Sequence, residues 1–146
     1  MKNIYALLLF ILPFALSAQE VYHIKFTDDN SVYNVAAVLN ADNTGLVRVN
    51  YIDSDCDGET IEMTATITET FNGFIINCHN PVYAGTDKKA KRYNPDTFYI
   101  TMRDNDGWVC KNIDSNKVET QCSFMEVTGI TNQDIFLRDF GLEFAK

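Results

Sequence analysis

The sequence predicts an all-β domain: an antiparallel meander of about eight strands, closed into a barrel or folded into a sandwich, with a short helix at its C-terminus. Three observations carry this. Short runs rich in β-branched and aromatic residues recur from Val21 onward, separated by clusters of Asp, Asn and Gly. Apolar and polar residues alternate strictly in Ile61-Glu62-Met63-Thr64-Ala65-Thr66-Ile67, which gives a strand one buried and one wet face. The connections are short, and short connections join antiparallel neighbours.

Each run is bounded by residues that make turns. Runs 21–27 and 32–39 are parted by Asp28-Asp29-Asn30-Ser31, and 32–39 is parted from 46–52 by Ala41-Asp42-Asn43-Thr44-Gly45. Run 60–69 follows the acidic segment Ser54 to Gly58, and Phe71-Asn72-Gly73 separates it from 74–83. After the longest connection, 84–96, come 97–103, then Asp104-Asn105-Asp106-Gly107, 108–113, Ser115-Asn116-Lys117 and 118–127. Gly and Asn accept positive φ, and Asx side chains bond to nearby backbone, so these clusters reverse the chain. Thr131-Asn132-Gln133-Asp134 has the spacing of a capping box, with Asp in place of the usual Glu or Gln. A short helix is expected from there, with Phe136 and Phe140 on one face and Gly141 ending it.

The first residues are of another kind. Lys2, an apolar run from Ile4 to Leu16 interrupted by Pro13, and the small Ser17 and Ala18 match a secretory signal peptide. They resemble the leaders of Gram-negative envelope proteins. Cleavage after Ala18 divides the chain into a signal peptide, 1–18, and a single β-domain, 19–146, secreted or periplasmic. Loss of Lys2 leaves that domain one unit more negative than the −8 of the whole chain. An acidic surface argues against nucleic acid and anionic membranes, and no second apolar stretch is long enough for a membrane span.

Export changes what the cysteines imply. Cys56, Cys78, Cys110 and Cys122 become disulfide candidates. In a hairpin centred on Asn116, Cys110 and Cys122 lie directly opposite, with Cβ atoms about 4.5–5.5 Å apart. A plain hairpin near Asn72 sets Cys78 against residue 66, far from Cys56. Cys78-His79 has the residue types of a nucleophile and base, yet adjacent strand residues point to opposite faces, and no zinc spacing surrounds it or His23. No G-x-S-x-G occurs. No catalytic residue is identified.

Two loops carry chemistry of their own. Asp53-Ser54-Asp55-Cys56-Asp57-Gly58 resembles the first half of an EF-hand calcium loop, in which Asp53, Asp55 and Asp57 converge on one Ca2+ and Glu59 adds its carbonyl. Thr64 stands where that motif requires a bidentate Glu, and the flanks read as strands. Lys88-Lys89-Ala90-Lys91-Arg92 gathers four cations within five positions of an acidic chain, placing Lys88, Lys89, Lys91 and Arg92 to meet an anionic ligand or partner.

In size, strand count and terminal helix, the pattern resembles lipocalin- and avidin-type barrels. It lacks the Gly-x-Trp of lipocalins near the first strand, and Trp108 alone does not make a Trp-rich biotin pocket. The expectation is a non-enzymatic exported β-domain that binds a small apolar ligand or a protein partner. The alternatives are a structural module of the cell envelope, stabilised by calcium, and a hydrolase using a carboxylate pair in a cleft.

Overall fold

The computed structural model describes residues 19–28, 30–53 and 56–143, without the side chains of Asp53, Cys56 and Asp57. The alternation read from the sequence is realised as eight strands: β1 (Glu20–Asp28), β2 (Ser31–Leu39), β3 (Thr44–Asp53), β4 (Cys56–Thr70), β5 (Gly73–Tyr83), β6 (Asp96–Arg103), β7 (Gly107–Asp114) and β8 (Glu119–Glu126). Every strand pairs antiparallel with the next, and β8 pairs back onto β1 from Tyr22↔Glu126 to Lys25↔Ser123, so the meander is a closed barrel. Closure pairs each described strand with a neighbour on both sides.

One face of each strand fills the barrel. Ile24, Val35, Val49, Met63, Ile76 and Phe98 are each no more than 1% exposed and belong to one apolar cluster that occupies the middle. Burial of each such side chain stabilises the fold by about 1.5–3 kcal/mol. The predicted face Ile61, Met63, Ala65 and Ile67 points inward, while Thr64 and Thr66 are exposed. Gly73 opens β5 where no side chain fits, because a Cβ there would run into the Ile100 carbonyl oxygen.

The helix α1 (Ile130–Asp139) packs on the outside of the barrel. Leu137 and Phe140 bury against Val21 and Ala36, the outward residues of β1 and β2. The rings of Phe136 and Phe140 meet at 5.0 Å, tilted to each other, on the one face their spacing predicts, and Gly141 takes φ 66 just past the helix end. The capping box does not form. Thr131 lies inside the helix, Gly129 is its N-cap, and no side chain caps it. Asn132 and Gln133 instead donate back to the carbonyls of Thr128 and Val127. At the other end Arg48 donates to the carbonyls of Phe140 and Gly141 at 2.8 and 2.9 Å while pairing with Glu62 at 2.7 Å. A cation there meets the negative end of the helix dipole.

Hairpin registers place the cysteines. Cys110 faces Cys122 across β7 and β8, as the hairpin centred on Asn116 requires. Cys78 faces Ala65 rather than residue 66, because the β4–β5 turn holds two residues, Phe71 and Asn72, and its centre falls between them.

Candidate functional site

The barrel has two unlike ends. Short turns at 40–43, 71–72 and 104–106 close one end, leaving a recess of about 480 Å³ lined by Glu20, Leu39, Ile67, Phe74 and Trp108. The other end carries the connections after β1, β3, β5 and β7, including the long segment 84–95. That segment folds back along β5: Tyr83 N–H donates to the Lys88 carbonyl, Ala90 N–H donates to the Pro81 carbonyl, and Ala90 is buried. Lys88 Nζ sits 5.4 Å from the centre of the Tyr83 ring, a cation–π distance. Lys88, Lys89, Lys91 and Arg92 therefore share one recess of about 650 Å³ with Tyr51, Glu59 and Tyr83.

A second recess of about 320 Å³ adjoins it through Arg92. Among its lining residues is Asp96, the first residue of β6, 3% exposed at an inward-facing position. Tyr93 Oη donates to Asp96 Oδ2 at 2.6 Å, and Asn112 Nδ2 donates to Oδ1 at 2.7 Å. Burial pushes the Asp96 carboxyl up to about 6, the two donors pull it down, and the Asp114 charge adds to the rise. Burial also raises Tyr93 and Cys78 well above their ordinary values, with the Asp96 charge adding to both. Around this polar group the rings of Tyr33, Tyr51 and Tyr93 meet at centroid distances of 5.9–6.5 Å, and Phe26 stacks on Tyr33 at 4.6 Å.

The sequence-derived candidates divide between these features. The four cations come together at one recess. Glu59 turns its side chain to the same place, where Tyr51 Oη donates to it at 2.6 Å. The carboxylates of Asp53, Asp55 and Asp57 lie outside the described residues, so the calcium loop has no side-chain geometry to set beside its motif; its flanks are strands, as expected. Among the described residues no three His, Cys, Asp or Glu side chains converge as metal ligands. Cys110 and Cys122 are both buried inside the barrel with their sulfurs unjoined. The hydrogen bond to Cys122, then burial and the neighbouring charge, raise the Cys110 thiol. Cys78 is buried while His79 is exposed and bonds to Thr66, so the two point to opposite faces as predicted. His23 is partly buried on the outside, bonded to Asn34 and packed on Phe136. No helix among the described residues is long and apolar enough to cross a membrane.

Sequence reasoning missed Asp96, Asn112 and Tyr93. The signal was present in the alternation: Asp96, Phe98 and Ile100 are spaced two apart, as are Cys110 and Asn112, so polar residues occupy inward positions. Comparison with known proteins found no family model, curated protein or solved structure that matches this chain.

Proposed function

We propose that this chain is an exported, non-catalytic β-barrel that binds a small molecule or a protein partner at its 84–95 end. The observation that carries the reading is the contrast between a barrel middle filled by apolar side chains and an end where cations, tyrosines and buried polar groups surround two adjoining recesses. A filled middle gives an apolar ligand no room, and exposed loops on a rigid scaffold are the usual carriers of recognition. Export rests on the leader-like segment 1–18. In an oxidising compartment the facing Cys110 and Cys122 thiols would be joined by thiol–disulfide exchange, with a donor disulfide taking up the two electrons and the two thiol protons released.

Hydrolysis is the second reading, favoured by one observation: Asp96 and Asp114 face each other in register across β6 and β7, and Asp96 is raised to about 6. Their hydrogen bonds argue for a holding role. Both Asp96 oxygens accept from protein donors, and Asp114 Oδ1 accepts from the backbone N–H groups of Asn116 and Val118, tying down the β7–β8 turn.

Native mass spectrometry of the protein purified gently after export tests the leading reading. A bound species is expected, and it should be lost in the double variant Lys91→Glu, Arg92→Glu. A species that survives in the double variant, or none in the wild type, sinks it.

A further inference from the structure

The smaller recess contains a buried acceptor that no described residue donates to. Asn112 is 3% exposed, and its Oδ1 has no hydrogen-bond partner among the described residues. Its amide orientation is set by Asp96: Nδ2 donates to the carboxylate, and a flip would put two oxygens face to face. A buried acceptor without a donor is unfavourable, and a ligand N–H or O–H would relieve it.

Two further observations narrow the donor's chemistry. Among the described residues, Asp28, Asp96 and Asp114 line the recess against one cation, Arg92, so its charge balance favours a cation. Phe26, Tyr33 and Tyr93 contribute aromatic walls, whose faces attract cations. A neutral hydroxyl would satisfy Asn112 and leave the carboxylates unanswered. A quaternary ammonium would answer the charge and leave Asn112 without a donor.

We propose that this recess binds a primary ammonium group, whose N–H donors reach Asn112 Oδ1 beside the Asp96 carboxylate while its alkyl stem lies against Phe26 and Tyr33. This rests on the reading that the 84–95 end is the binding end, and it names the ligand chemistry of one of the two recesses there.

The test is an NMR titration of the protein, expressed as the full chain and purified after export, with n-butylammonium, tetramethylammonium and 1-butanol. Saturable shifts of the Asn112 side-chain amide and the Tyr93 ring are expected with n-butylammonium. Binding should be about tenfold weaker for each of the other two probes, since each lacks one of the paired interactions. Asn112→Leu should weaken n-butylammonium by a similar factor, and the probe comparison stands without that variant if it does not fold. Equal binding of tetramethylammonium overturns the assignment, as does an ordered water that the amine leaves in place on Asn112. A parallel titration with inorganic phosphate separates the two readings. Shifts confined to Lys88–Arg92 with phosphate, and none with the amine, end the ammonium assignment alone. No shift at this end with any probe ends both.

Discussion

Replacing Asp96 with Asn should change how stability depends on pH, because among the described residues Asp96 is the one carboxyl both buried in the barrel and strongly raised. In the folded protein it titrates near 6, against 3.8 for an ordinary aspartate. Between those values the folded state holds a proton that the unfolded chain has released. Stability from this group is therefore greatest below about pH 4 and falls as pH rises through about 6. At 1.4 kcal/mol per tenfold change, moving the carboxyl from 3.8 to about 6 costs roughly 3 kcal/mol at neutral pH. Asparagine has nearly the same shape and no charge. Its Oδ1 can accept from Asn112, and its Nδ2 can donate to the Tyr93 hydroxyl, so the packing is kept. Urea unfolding of both proteins from about pH 3 to pH 7 gives the stability difference at each pH, and the groups they share largely cancel. The variant should gain about 3 kcal/mol on the wild type across that interval. A difference that stays flat with pH would refute the claim that this end of the barrel holds a carboxylate against its desolvation cost.

Other consequences follow from the packing. Gly73→Ala should lower stability by at least about 2 kcal/mol in urea unfolding, because the new Cβ would run into the Ile100 carbonyl oxygen; wild-type stability would mean the two strands lie further apart. Leu137→Ala, at a helix residue only 1% exposed, should cost about 2–4 kcal/mol and speed amide exchange throughout α1. Arg48→Ala removes the donors to Phe140 and Gly141, so exchange should quicken at the C-terminal turn of α1 while the barrel strands hold their protection. Protein purified from an oxidising compartment should be lighter by two hydrogens than after reduction, with a Cys110–Cys122 linked peptide in the digest. Detection of both thiols free would remove the disulfide.

Strand and turn positions were legible because a strand with one wet face writes its burial into every second residue. The runs read from the sequence coincide with the eight strands to within a few residues, most widely at β4, which begins at Cys56 rather than near residue 60. The facing of Cys110 and Cys122 was equally legible, since register in a hairpin depends only on the turn between its strands. The same logic misses by one residue at Cys78, because a centre at Asn72 gives way to a two-residue turn centred between Phe71 and Asn72. The helix was predicted in its apolar face and its end, whereas its start depends on backbone and side-chain bonds around Gly129 that the Thr-x-x-Asp spacing does not encode.

The 84–95 end was legible only in its cations. Lys88 to Arg92 stand together in the chain and remain together in space, but Asp96, Asn112 and Tyr93 belong to separate elements whose meeting depends on barrel closure. By itself, then, the sequence determined an antiparallel all-β chain with one terminal helix, the inward face of its strands and the pairing of its last hairpin, all of which follow from local alternation and turn chemistry. Only the tertiary structure decided for a barrel over a sandwich, filled its middle, and set a buried carboxylate beside an orphaned amide oxygen at one end. The reason is that β1, the first strand, meets β8, the last, and a contact over that separation leaves no local pattern to read.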